Sequence, residues 1–188
     1  MLTPLLIIIG VLILFYGLLF NGLVKARQKV KEAWSGIDVQ LKRRYDLIPN
    51  LIKTVQGYAA HEKNVLEAVT LARTEAMSAS DQSDVEGRAK AENALSGTLK
   101  SIFALAENYP DLKANASFVE LQQQLTETED QIAASRRIYN GNATVMNTKV
   151  ESVPSNIVAG FHSFVKAKFF ELEASEREAA KQVPKVEF

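Results

Sequence analysis

The first 24 residues, Met1 to Val24, contain no charged side chain, and no other feature limits the possible folds of this chain as strongly. The apolar run Pro4 to Phe20, extended by Asn21, Gly22, Leu23 and Val24, is long enough as a helix to cross a hydrocarbon core of roughly 30 Å. A backbone in lipid must satisfy its own hydrogen bonds, so a single spanning segment has to be helical. A cleaved signal peptide would show a positive start, a shorter apolar stretch and a small-residue cleavage site. The run has no Lys or Arg before it, and Asn21-Gly22-Leu23-Val24-Lys25-Ala26-Arg27 offers no A-x-A pattern. A core helix of a soluble protein would need neighbours able to bury Leu5 to Phe20 on every side, yet the remaining helices carry one apolar stripe each. The sequence therefore predicts a retained anchor, with the lipid bilayer as partner of residues 4–24.

Seven basic residues (Lys25, Arg27, Lys29, Lys31, Lys42, Arg43 and Arg44) face Glu32 and Asp38 between positions 25 and 44, a local balance of +5. The positive-inside bias holds the cation-rich flank in the cytoplasm, giving a single-pass membrane protein with its N-terminus outside and its body inside. The bias is statistical, so the inverted orientation stays open. Lys25, Arg27, Lys29 and Lys31 are the membrane-flanking cations, each worth about 1 kcal/mol beside anionic head groups. Lys42 and Arg43 read first as solvated helix surface.

The remainder fits one domain over 25–173, followed by a charged, Pro-bearing tail at 174–188 with little to order it. Its apolar residues recur every three or four positions, so the fold class is all-α: a spanning helix, then a long antiparallel, up-and-down bundle of three to four helices. One seam runs through Trp34, Leu41, Ile48, Val55 and Val69, with Ile37, Leu51, Tyr58, Val65 and Ala72 as companions, on a very long first helix. Pro49 lacks an N–H and crowds the carbonyl of Tyr45; because the apolar phase continues beyond it, a kink is expected rather than a break. Small polar residues at 78–83 predict a turn and a following cap. A second segment, Val85 to Ala106, buries Leu95, Leu99, Ile102, Phe103 and Ala106 and ends near Pro110. A third, about Ala116 to Val150, carries Phe118, Leu125, Ile132, Tyr139 and Met146 at intervals of seven. Its companion positions turn polar at Thr128, Ser135 and Asn142. Beyond Pro154, Ser155 reads as the N-cap of a fourth amphipathic helix with Ile157, Val158, Phe161, Phe164, Val165, Phe169 and Phe170.

No catalytic or cofactor-binding signature emerges. Net charge is zero, which leaves no uniform basic face for nucleic acid, and the absence of cysteine removes disulfide and thiolate chemistry. His61-Glu62 begins like a zincin motif, but Val65 stands where the second ligand belongs, so no metal site is predicted. Asp38, Asp46, Asp111 and Glu129 are able to pair as acid and base in a fold, but read first as solvation. The polar seam residues, with Arg44 and Glu62, fix register or line a site; the enzymatic alternative draws on Arg44, Glu62 or Arg136.

The stretch from Trp34-Ser35-Gly36-Ile37-Asp38 through Arg44-Tyr45-Asp46-Leu47-Ile48-Pro49-Asn50-Leu51 resembles the signature of the LemA family of bacterial membrane proteins. Gly57-Tyr58-Ala59, His61-Glu62, Ala72-Arg73, Glu107-Asn108-Tyr109-Pro110-Asp111-Leu112-Lys113-Ala114-Asn115, Arg136-Arg137, Tyr139-Asn140, Pro154-Ser155-Asn156 and Phe169-Phe170-Glu171 follow in the family's order. Met146 and Val153 depart from it, where aromatic residues are usual. The resemblance implies a spanning helix before a cytoplasmic antiparallel bundle, no catalytic residue and no cofactor. It also implies relatives associated with membrane proteases and with magnetosome membranes. The leading expectation is a membrane-anchored scaffold or adaptor, with a protein partner met at Lys42, Arg43, Asp46, Tyr109, Asp111 and Lys113. A self-assembling protein that organises lipid is the alternative of another kind.

Overall fold

The computed structural model describes residues 2–79 and 84–170. Among the described residues there is no strand, and six helices follow one another: α1 Leu2–Gln56, α2 Lys63–Ser78, α3 Val85–Ala106, α4 Pro110–Lys113, α5 Ala116–Glu151 and α6 Ser155–Phe161. The expected tail at 174–188 lies outside the described residues, as do positions 80–83 of the expected turn. The chain separates into two compact units, one of residues up to Val39 with Ala133–Phe169 and the other of Gln40–Ile132 with Phe170.

In the first unit α1 and α5 run antiparallel. Phe20, Leu23 and Ala26 share a core with Met146 and Val150, Lys29 meets Asn142, and Trp34 meets Tyr139. The α1 number rises as the α5 number falls. Trp34 lies edge-on to Tyr139, with centroids 5.4 Å apart. The expected fourth amphipathic helix is only seven residues long. Pro154 occupies its N-cap, and Ser155, the first helical residue, donates its hydroxyl to the carbonyls of Lys149 and Ser152 instead of capping. The helix stops in a Schellman motif: Phe164 N–H donates to Ala159 O at 2.9 Å, Ser163 N–H donates to Gly160 O, and Ser163 adopts φ 53°. Residues 164–169 then run as an irregular strap. Asn147 holds it by donating to Ala167 O at 3.0 Å while accepting from Ala167 N–H at 2.8 Å, and Tyr139 donates its hydroxyl to Lys168 O. The apolar spacing of the strap mimics helical periodicity, but only Val158, Phe164 and Phe170 of the expected set are buried.

In the second unit the end of α1, helices α2 to α4 and the start of α5 assemble, with α2 packed along α3. The seam residues Leu41, Ile48, Leu51 and Val55 of α1 are fully buried, as is Val69. They do not lie on one helix, however. Between Gln56 and Lys63 the chain turns at Gly57, a weak helix former, and Ala59 and Tyr58 donate their N–H groups back to Val55 O. The phase then restarts on Leu66, Val69, Ala72 and Ala76, which leaves Tyr58 exposed and Val65 half-buried. The cap expected before the next helix is Asp84, whose carboxylate accepts from Gly87 N–H at 2.9 Å.

Pro49 sits inside α1 without breaking it. Its missing N–H deprives Tyr45 O of the usual helical donor, and Arg73 of α2 supplies another: its Nε donates to Tyr45 O at 2.9 Å. Arg73→Met is accordingly expected to cost about 1–3 kcal/mol, the penalty for an unsatisfied buried acceptor. Adding Pro49→Ala restores a helical donor, so the double variant should recover much of that loss in a urea titration. Equal stability of the single and double variants would contradict this assignment.

Candidate functional site

The strongest concentration of ionisable groups lies inside the second unit. Arg44 on α1 is fully buried, as are Glu92 on α3 and Thr128 on α5, and Arg88 is 4% exposed. The Arg44 guanidinium donates to both carboxylates, Glu92 and Glu129, and to Ser96 Oγ at 2.9 Å. Ser96 in turn donates to Glu129 at 2.9 Å, and the Tyr45 hydroxyl donates to the second oxygen of Glu92. Burial, reinforced by the adjacent Glu92 charge, pushes the Tyr45 phenol well above its ordinary value, so it is a donor at any physiological pH. Thr128 spends its hydroxyl on its own helix, donating to Gln124 O at 2.7 Å.

This arrangement joins three helices that the sequence separates by 48 and 85 positions. Arg presents a planar fork that suits two carboxylates at once, which Lys could not match. Both acids are occupied by the same cation, and Glu129 keeps 37% exposure at one edge. An open depression of about 490 Å³ lies elsewhere, lined by Gln56, Ala60, Lys63, Leu66 and Glu67, and shares no residue with the cluster. Among the described residues no group of three or more His, Asp or Glu is placed to hold a metal ion. Ionic groups buried and paired in this way between helices specify which helices meet in the systems where that use is attested.

A second polar set ties two loops of the same unit. Tyr109 donates its hydroxyl to Glu62 at 2.8 Å, and Asn115 donates its amide to the Tyr58 hydroxyl at 2.8 Å. Asn115 also caps α5 by accepting from Phe118 N–H at 3.0 Å. Its bond to Glu62 holds the Tyr109 phenol above its ordinary value. Pro110 starts α4 at the position where a missing N–H costs nothing, and Leu112 is fully buried. The motifs around Tyr58, Glu62 and Tyr109 to Asn115 thus meet in space as a staple between the 57–62 and 107–115 loops.

The other expected residues are distributed as follows. Arg44 and Glu62 belong to these two separate sets. Ser135 and Arg136 are half-buried in the first unit, where Asn142 donates to Lys29 O at 3.3 Å. Lys42 and Asp46 form an exposed i,i+4 pair at 3.2 Å, and Arg43 beside them is exposed. Asp111 is exposed, Lys113 pairs with Glu107, and Tyr109 is half-buried by its bond to Glu62. Lys25, Arg27, Lys29 and Lys31 are all exposed immediately beyond the apolar run. Sequence reasoning missed Glu92, Ser96 and Arg88; the available signal was three polar residues at spacings of four on what is otherwise an ordinary amphipathic helix.

Comparison with known proteins gives matches over most of the chain. Residues 33–188 match the model of the LemA family. Magnetosome protein MamQ 2 of Paramagnetospirillum magneticum is 25% identical over 175 residues, covering 81% of this chain and 64% of that protein. Protein LemA of Metamycoplasma hominis is 28% identical over 159 residues, covering 84% and 71% respectively. Magnetosome protein MamQ of Magnetospirillum gryphiswaldense is 22% identical over 174 residues, and the match again spans 64% of its length.

Proposed function

Since the chain belongs to the LemA family, we propose that it is a membrane-tethered scaffold: a single-pass anchor that presents a cytoplasmic helical bundle to protein partners. The observation that carries this reading is the change of character along one uninterrupted helix. Large apolar side chains of α1 are exposed on every face from Leu5 to Leu18, whereas from Leu23 onward one stripe of them, including Leu23, Trp34, Ile37, Leu41, Ile48 and Leu51, is buried. A helix apolar all round needs lipid or protein around it. A membrane location follows for this stretch, and the exposed cations from Lys25 to Lys31 support the cytoplasmic side.

A tether confines the bundle near its partners and raises their effective concentration, so weak surface contacts suffice. The paired interior polar groups favour holding a shape over converting a substrate. Lys42, Arg43, Asp46, Asp111 and Lys113 are the contact surface of this reading, with Tyr109 positioning its loop.

Photocrosslinking in living cells from a reactive residue placed at Lys42 or Lys113 tests it. A reproducible membrane-protein adduct that is lost when Tyr109 and Glu62 are both replaced is the expected outcome. Adducts formed only between copies of this chain would overturn the scaffold in favour of self-assembly.

A further inference from the structure

The exposed apolar stretch of α1 runs directly into turns that pack against the chain's own elements. From Thr3 to Leu18 the helix is exposed apart from Gly17, and its uncharged character continues through Gly22. At Leu19 and Phe20 α1 is already packed against α6 and the residues after it. Tyr16 is hydrogen-bonded to His162 Nε2 at 2.8 Å, Phe20 lies 4.7 Å from the same ring, and Phe20 meets Phe164 at 6.0 Å. The α6 tip thus sits beside the last turns of the span.

The tip has two opposed faces. Val158 and Ala159 are buried on Leu23 and Met146, while Val153, Ile157, Phe161 and Val165 are 78%, 69%, 84% and 77% exposed. Ile157 and Phe161, one turn apart, share the outward face. Cations lie next along the span: Arg27 stands over the Phe164 ring at 4.9 Å, and the Lys149 ammonium lies against Gly22. Apolar side chains beside the span, followed by cations a turn or two later, is the layering of a membrane interface.

We propose that the α6 tip is a second membrane contact, entering the same leaflet as the end of the span and presenting Ile157 and Phe161 to lipid. Its occupant is the acyl and headgroup boundary, with lipid phosphates at the level of Arg27 and Lys149. The Tyr16–His162 bond fastens the tip to the span at a depth where neither side chain meets bulk water. This inference rests on the membrane anchor proposed above.

The chain has no native cysteine, so single cysteines report cleanly. Phe161→Cys, Ile157→Cys, Leu12→Cys and Ile138→Cys, each in the full chain, are labelled with an environment-sensitive fluorophore and reconstituted in phosphatidylcholine–phosphatidylglycerol vesicles. Spin-labelled lipids and aqueous iodide serve as quenchers. Leu12 lies mid-span, and Ile138 is an exposed apolar residue one position from the Tyr139 that packs on Trp34. The expected result is deep quenching at Leu12, shallow lipid quenching with blue-shifted emission at 157 and 161, and iodide quenching alone at Ile138. Iodide quenching at 157 and 161 with Leu12 still quenched from the acyl chains overturns the second contact and leaves the anchor intact. Shielding of 157 and 161 from both quenchers overturns it in favour of a protein cover such as a second copy. Loss of lipid quenching at Leu12 overturns the anchor, and the tip contact with it.

Discussion

Glu92→Ala is expected to lower the unfolding free energy by about 3 kcal/mol, because it strips the buried Arg44 of one of its two carboxylates and leaves it Glu129 alone. The Arg44 guanidinium has no exposure to solvent, so water does not replace the lost carboxylate, and the Tyr45 hydroxyl loses its acceptor in the same step. A urea titration of the full chain in mild detergent reads the effect as a lower midpoint. The double variant Arg44→Met with Glu92→Leu should recover a substantial part of the loss, because an apolar pair of similar size strands no fully buried charge and Glu129, 37% exposed, is left to solvent. Asp46→Ala provides the contrast: its pairing with Lys42 is exposed, so a change of at most about 0.5 kcal/mol is expected. Similar small effects at Glu92 and Asp46 would mean that the cluster is open to water.

Trp34→Ala should cost a comparable amount, about 3–5 kcal/mol, for a different physical reason. The indole is 4% exposed and stacks edge-on with Tyr139, whose hydroxyl holds the strap through Lys168 O. Truncation leaves a cavity that one pair of helices cannot close, and it loosens the ring that anchors the strap. Trp34→Phe keeps most of the apolar volume and the aromatic contact, so its expected cost is below about 1.5 kcal/mol. Hydrogen exchange at Ala167, whose N–H is bonded to Asn147, should quicken in Trp34→Ala and change little in Trp34→Phe. Unchanged exchange in both variants would separate the strap from the tryptophan.

Periodicity carried the sequence furthest where an element is long and has one buried side. On α5 the five residues Phe118, Leu125, Ile132, Tyr139 and Met146 are all buried, as a spacing of seven demands. The same reasoning failed at Gly57 to Glu62. Val55 and Val69 lie two heptads apart, so the pattern bridged the break and hid it. It failed again after Phe161, where the Schellman turn at Ser163 diverts an apolar segment that still reads as helical. Side chain to backbone bonds from Asn147 and Tyr139 decide that conformation, and no local pattern announces them.

Sites were less legible than elements. Arg44 stood out as a cation on an apolar seam, but its acids lie on two other helices, and pairing across 48 and 85 positions is a property of the topology. The Tyr109 motif was conspicuous as a sequence yet ambiguous as a function; its bond to Glu62 shows that at least its hydroxyl has a structural task. The apolar run predicts an anchor from Pro4 to Val24, whereas in α1 Leu23 already packs into the chain's own core.

The anchor and its orientation underlie the whole functional proposal, and Lys113→Cys, exposed on the bundle, tests both together. The full chain is expressed in bacteria; one portion of cells is fractionated into membrane and soluble parts, and spheroplasts from another are treated, intact or opened, with a membrane-impermeant maleimide. The expected result is recovery of the protein in the membrane fraction, with labelling at position 113 only after the cells are opened. Labelling in intact spheroplasts, or recovery in the soluble fraction, would contradict a cytoplasmic bundle tethered to the membrane.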